Sequence, residues 1–219
     1  MWLTQLPERL WWDHNAHYHH WLLRQLPERA GRVLDVGCGS GRLACTLTAR
    51  AEHVDALDRS PVMLEQARRR CPQAPNLRWL DGDLFDPAAP LAGDGYDAIT
   101  AISSLHHMPL QPALDRLAGL LRPGGVLAVV GLYQPATTTD RALEMLALPA
   151  NAAVGAALAL RGRSGKPDDE AMPVRPPSTT LADVRAVVTP RLPRATLRRG
   201  LFWRYLLTWH RQSPGTIRY

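Results

Sequence analysis

Short apolar runs recur at regular intervals through the first 131 residues, separated by segments with helical patterning. Residues 11–26 (WWDHNAHYHHWLLRQL) read as a helix that stops before Pro27. Val33–Val36 reads as a buried strand and Arg42–Arg50 as the helix after it. His53–Leu57 is the next strand, followed by a helix over Pro61–Arg70. Ser60 is its N-cap and Pro61 its first residue. Strands follow at Asn76–Leu80 and Asp97–Ile102, then a helix near Pro112–Leu121. Gly125–Gly131 is a further strand, opened by the turn Arg122-Pro123-Gly124-Gly125. Strand and helix alternating at this pitch predict a parallel, doubly wound α/β sheet.

The last third has a different rhythm. Residues 140–161 are strongly apolar, but Glu144, Pro149, Asn151 and many alanines make them a poor membrane span. A helical lid or an oligomer contact suits them better. Residues 162–178 are polar and proline-rich and read as a loop, with a helix near Thr180–Val188 beyond it. Ala195–Arg199 and Trp203–His210 are close enough to pair as an antiparallel hairpin at the sheet edge.

Composition narrows the picture. A length of 219 residues suits one α/β domain with a real core and would cramp two. Three cysteines, Cys38, Cys45 and Cys71, lack CxxC spacing and cannot all pair within the chain. That favours a reducing compartment, and the start MWLTQLPERL lacks the basic-then-apolar pattern of a signal peptide. The expected location is therefore cytoplasmic. The formal charge of +6 is concentrated at one end. Residues 191–219 hold seven arginines and no acid, while the rest is close to neutral. A basic stripe of this kind could meet nucleic acid or an acidic acceptor, or be a solvated sheet face.

The candidate chemistry begins at VLDVGCGSGR, residues 33–42, between a predicted strand and a predicted helix. Gly37, Gly39 and Gly41 give GxGxG, whereas a dinucleotide fold prefers GxGxxG. Asp35, two residues ahead of Gly37, would repel a pyrophosphate and suit a cationic amine. Asp58 ends the second strand, where an acid can accept hydrogen bonds from both hydroxyls of a ribose. Asp83, after the third strand, can take the exocyclic amine of adenine, and the next backbone N–H can meet a ring nitrogen. An amine, a ribose and an adenine with no required phosphate describe S-adenosylmethionine.

These pieces, with VDALDRS (54–60), LDGDLFD (80–86), YDAITAISSLHHMP (96–109) and LLRPGGVLAVV (120–130), occur in one order. Over roughly residues 30–131 the chain resembles the class I S-adenosylmethionine-dependent methyltransferases, of the bacterial small-molecule type. The resemblance implies a Rossmann-like seven-stranded sheet flanked by helices, with strand order 3-2-1-4-5-7-6 and strand seven antiparallel. It implies an N-terminal helical cap over residues 1–29 and a methyltransferase domain over 30–219, with 140–180 as a lid or insertion. It places Asp35 and the backbone of Gly37, Cys38, Gly39 and Gly41 at the methionine moiety and Asp58 at the ribose. Arg59 and Met63 would flank the adenine, Asp83 and Leu84 would read its edge, and Ser103 would join the cofactor site. Similar HNxxYH segments act as a flap, which adds Asn15, Tyr18 and His19 to the cofactor residues and Trp12 and His17 to the acceptor side.

A base, where the nucleophile needs one, is expected after strand four, in Ser103-Ser104-Leu105-His106-His107. We expect His106 to face the acceptor and His107 to pack on the scaffold. The four histidines of residues 14–20 lack the carboxylate pattern of a metal site, so no metal is expected. The position after strand four lacks the Asp/Asn-Pro-Pro-aromatic motif of enzymes that methylate exocyclic amines of DNA bases. It lacks the Pro-Cys nucleophile of cytosine C5 enzymes as well. The expected reaction is methyl transfer to an O, N or C atom of a small, partly hydrophobic acceptor. The alternatives are an RNA methyltransferase using the basic stripe, a non-catalytic cofactor-binding partner protein, and a nicotinamide dehydrogenase, which the loop spacing and Asp35 disfavour. The oligomeric state is not encoded in any motif seen here.

Overall fold

The computed structural model describes residues 13–160 and 175–213. Trp12, most of the 162–178 loop and Arg218 fall outside them. The seven strands are β1 (Ala30–Val36), β2 (Ala51–Asp58), β3 (Leu77–Asp81), β4 (Tyr96–Ile102), β5 (Leu121–Leu132), β6 (Thr196–Arg199) and β7 (Arg204–His210). They form one sheet in the order β3-β2-β1-β4-β5-β7-β6. The first five run parallel, while β7 lies antiparallel between β5 and β6. The architecture is thus the expected Rossmann-like one.

Both sheet faces are covered, which is why β2 and β5 carry unbroken buried runs, Val54–Leu57 and Val126–Gly131, rather than alternating patterns. One face packs against α4 (Leu110–Leu120) and α6 (Leu181–Arg191) through Leu114, Leu117, Val184 and Val188. The other packs against α1 (His14–Gln25) and α2 (Arg42–Leu47) through Tyr18, Leu22, Leu43 and Leu47. Asp13 caps α1 by accepting the N–H groups of Asn15 and Ala16. Ser60 caps α3 (Pro61–Arg70), which has Pro61 in its first turn. Thr180 and Asp183 close a reciprocal capping box on α6.

Several boundaries differ from expectation for local reasons. The α2 helix ends at Leu47, because the Arg50 N–H turns back to the Leu47 carbonyl and Ala51 joins the sheet opposite Ala30. Strand β5 begins at Leu121, ahead of the turn, because Leu121 pairs with Tyr96 and a register shift absorbs the turn residues. The apolar 140–161 segment forms α5 (Thr138–Leu160), which contains Pro149. No helix among the described residues is long and apolar enough to cross a membrane. The excursion carrying α5 begins and ends at one place: the Gln134 N–H donates to the Thr179 carbonyl, beside a bridge to Thr180.

The six described arginines of the basic stripe do not share one face. Arg199 pairs with the buried Asp140 at 2.9 Å and Arg191 with Asp115 at 3.4 Å. Arg211 donates to backbone carbonyls at the end of α4, and Arg204 is buried.

A polar knot centred on the buried Asp55 and Tyr96 ties β2, β3 and β4 together. Asp55 accepts two bonds from Arg78, at 2.9 Å each, and one from the Tyr96 hydroxyl at 2.7 Å. The same hydroxyl accepts the Ala92 N–H at 2.9 Å. Tyr96→Phe keeps the ring but strands that N–H. The expected loss is about 1–3 kcal/mol of unfolding free energy, read from urea midpoints at unchanged m-value.

Candidate active site

Parallel strands bring their C-terminal ends to one edge of the sheet. Between β1 and β4 the chain leaves in opposite directions, toward β2 on one side and β5 on the other. That divergence opens a crevice at the strand ends. The glycine loop lies across it. Gly37, at φ 68°, has no room for a side chain, since a Cβ would sit 2.4 Å from the Cβ of Ser104. The Gly37 and Cys38 N–H groups both bond to the Leu57 carbonyl, at 2.8 and 3.1 Å, which ties the loop to the end of β2. Asp58 is held from two sides. Its Oδ2 accepts the Gly39 N–H at 2.8 Å and its Oδ1 the Ser60 N–H at 2.9 Å. A carboxylate so fixed keeps a second lone pair on each oxygen for incoming hydroxyls.

A cleft of about 410 Å³ opens at this edge. Gly37, Cys38 and Gly39 line it from β1, and Asp58, Arg59 and Met63 from the end of β2 and α3. Asp83 and Leu84 line it after β3, and Ser103 after β4. Asn15 and His19 of α1 close it from the cap side. Burial, more than the opposing effects of Asp13 and Arg42, lowers the His19 pKa, so its ring is neutral near pH 7.

Four other expected residues take different places. Asp35 lies wholly buried beneath the loop, outside the cleft lining. Its Oδ1 accepts the Thr100 hydroxyl at 2.9 Å and its Oδ2 has no hydrogen-bond partner. Burial pushes this carboxyl up to about 7, the Thr100 bond opposes the shift, and Asp58 adds to it. Gly41, at φ 76°, is needed for packing, since a Cβ would fall 2.4 Å from the Trp79 ring. Tyr18 is buried with its hydroxyl on the Leu201 carbonyl at 2.8 Å. His17 stacks edge-on to Tyr18 and Phe202.

The histidine pair is placed the other way round from expectation. Leu105–His107 form one turn of 3₁₀ helix, on which the two imidazole rings lie 4.0 Å apart. His107 lines the cleft and His106 does not. The His106 Nδ1 is buried without a partner. Burial first, then the neighbouring His107 charge, lowers its pKa to about 4. The His107 pKa is lowered as well, by burial and then by Arg59 and Arg175.

Sequence reasoning missed Asp13, Ser40, Arg42, Ser60 and Met108, all of which line the cleft. Asp13 and Ser60 carry a readable signal as N-caps at the helix ends that meet the site. Arg42, 3.5 Å from Asp13, carries none. Among the described residues no cluster of His, Cys, Asp and Glu could hold a metal ion.

A methyltransferase-domain family profile matches residues 33–125. An uncharacterized methyltransferase of Mycobacterium tuberculosis is 37% identical over 200 residues, which span 90% of this chain and 96% of that one. The chain belongs to the class I S-adenosylmethionine-dependent methyltransferases, and S-adenosylmethionine is its cofactor. Trans-aconitate 2-methyltransferase of Methylobacterium radiotolerans is 38% identical over 151 residues, 66% of this chain and 55% of that protein. Among solved structures, the N-methyltransferase NodS of Bradyrhizobium japonicum with S-adenosylhomocysteine shares the fold at a TM-score of 0.60. That match has 16% identity and covers 94% of this chain and 91% of NodS.

The residues present fit that cofactor. The cleft offers a fixed carboxylate with open lone pairs, a backbone loop free of side chains at Gly37 and Gly39, and a buried methionine, Met63, against which a flat ring can lie. Asp58→Ala removes the carboxylate and unties Gly39 and Ser60. The expected loss of S-adenosylhomocysteine affinity is about 1.5–3 kcal/mol by calorimetry.

Asp35 makes a separate prediction. Its pKa is raised in the folded state, so the native protein holds a proton that the unfolded chain has released. Stability contributed by that proton is fully present below about pH 4 and lost as pH rises through about 7. Asp35→Asn removes the titration. The wild-type-minus-variant difference in unfolding free energy should fall by up to about 4 kcal/mol over that interval and stay flat above it.

Proposed function

We propose that this methyltransferase transfers the methyl group to a small, partly hydrophobic acceptor at an O, N or C atom. The observation that carries this reading is the shape of the cleft. It is a bounded crevice of small-molecule size, walled by the α1 cap on one side and the 3₁₀ turn on the other. Ile102 and Met108 give its β4 side an apolar character, and Ser103, Ser104 and His107 give it a few polar groups. The relative named for trans-aconitate supports a small acceptor. The free thiols of Cys38, Cys45 and Cys71 support a cytoplasmic location.

The RNA reading loses most of its basis. Four of the seven C-terminal arginines bond within the fold, which leaves Arg194 and Arg198 exposed among the described ones.

When bound, the cofactor supplies a methyl on a sulfonium that leaves by in-line displacement. The protein's part is to orient the acceptor, exclude water and handle any proton. His107 is the group placed for that last task. Its lowered pKa keeps the ring neutral at pH 7 and therefore able to accept a proton. His106, with a conjugate acid near 4 and no cleft surface, supports the turn instead. The α5 excursion packs Ala147 against Phe202, whose ring meets His14 and His17 of α1, and in our reading it braces the cap as a lid.

The test is S-adenosylhomocysteine release with panels of phenols, quinone precursors, amines and small carboxylic acids, run beside RNA and DNA. Turnover confined to nucleic acid would overturn the small-acceptor reading. With an O- or N-acceptor found, His107→Ala should lower turnover about 10²–10⁴-fold with cofactor affinity nearly intact, and His106→Ala should lower it far less. The reverse ranking would return the role to His106.

A further inference from the structure

Arg204 opens β7 and is 7% exposed, yet no carboxylate pairs with it among the described residues. Asp13 supports the charge only from a distance, and a buried cation without a bonded counter-charge is costly, so natural folds keep one for a reason. Its Nη1 donates to the Phe202 carbonyl at 2.9 Å and its Nη2 to Asn15 Oδ1 at 2.8 Å. Its Nε is buried with no hydrogen-bond partner. The Tyr18 ring lies against the guanidinium, 5.9 Å from centroid to Cζ. Burial brings the arginine pKa down to about 10, so the charge persists at neutral pH.

Asn15 is the link to the cleft. The Ser103 hydroxyl also donates to its Oδ1, at 2.7 Å. A guanidinium can only donate, so the oxygen of the amide must face Arg204. The NH₂ end is thereby turned away from the cation, on a side chain that lines the cleft. No acceptor among the described residues takes either of its protons. The backbone around this trio is strained. Ser103, Phe202 and Trp203, at φ 51°, 58° and 59°, are three of the four non-glycine residues with positive φ among the described residues. Such conformations persist where surrounding structure enforces them, often at binding sites.

Two N–H donors on the cleft wall, backed by a buried positive charge, match a carboxylate. The cofactor carries one, at the end of its methionine moiety. We propose that Arg204 is a positioning residue that acts through Asn15, orienting its amide to bind the cofactor's carboxylate and supplying the counter-charge behind it. The proposal rests on the cleft holding the cofactor. Arg42, on the same wall and 3.5 Å from Asp13, is the competing cation.

The experiment compares S-adenosylhomocysteine with 5′-methylthioadenosine, which keeps the nucleoside and thioether but lacks the amino-acid end. Dissociation constants are measured by calorimetry for the full chain, Asn15→Asp, Arg204→Met and Arg42→Met, with a thermal melt of each. Asn15→Asp replaces a donor by an acid that can pair with Arg204, so the fold is kept and its Tm should not fall. It should weaken S-adenosylhomocysteine at least tenfold and change 5′-methylthioadenosine less than twofold. Folded Arg204→Met should lose the same selectivity, since the amide is free to turn. If Arg204→Met does not fold, Asn15→Asp decides. A folded variant of either residue that keeps the wild-type ratio of the two affinities overturns the proposal, as does a loss confined to Arg42→Met. Wild-type protein that binds both ligands equally overturns it and leaves the cofactor site standing. Wild-type protein that binds neither removes the cofactor reading itself, and the proposal with it.

Discussion

The site depends on how β1 and β4 are fastened to each other at the point where they part. Thr100 of β4 reaches Asp35 of β1 at 2.9 Å, and the Ser104 hydroxyl donates to the Val36 carbonyl at 2.7 Å. Immediately beyond, Gly37 leaves the volume that Ser104 occupies. Any side chain at Gly37 would push the two strand ends apart and carry the loop with them. The cleft is therefore a product of close packing at the switch point, and the loops after β2 and β3 are set against it. Asp58 shows the dependence directly, since both of its oxygens are held by loop N–H groups, one of them from the glycine turn.

Much of the fold is legible because the signals are local. Apolar runs bounded by turns mark the parallel strands, and Ser60-Pro61 marks the start of α3 where the structure begins it. The end of α2 is not legible, because it is decided by the pairing of Ala30 with Ala51, a contact across the sheet. The start of β5 at Leu121 is hidden for the same reason, being fixed by its partner Tyr96 and not by the Pro-Gly turn.

The site shows where a motif stops being informative. The glycines and acids of the loop are adjacent in sequence, but they face different sides. Gly37 and Gly39 line the cleft, while Gly41 meets Trp79 and Asp35 lies beneath the loop. A one-dimensional pattern cannot separate a residue that touches a ligand from one that shapes the loop. The His106–His107 pair is ambiguous for a sharper reason. The two rings lie side by side, 4.0 Å apart and both half-buried, so no feature of the sequence says which of them reaches the cleft. The C-terminal arginines are legible as net charge, but not the pairing of Arg199 with Asp140 or of Arg204 with Asn15, which depends on partners far away in sequence.

The bond between Asn15 and Arg204 joins residues 189 apart, and Tyr18 and Gln25 reach Leu201 and Thr208 across 183 each. Contacts at such separation are rewarded only after a long loop has been closed. A nascent chain that has emerged through β5 already holds the glycine loop, five of the seven strands and the apolar surface of β5 and α2 on which α1 rests, but none of the partners that Asn15, Tyr18 and Gln25 bond. The polar bonds that fasten this wall of the cleft form only when β7 has threaded in beside β5. Vectorial synthesis thus makes the fastening of this wall one of the last events in the folding of this protein, and a truncated chain lacking β7 would keep the motif by which the family is recognised while leaving one wall of its site without its polar ties.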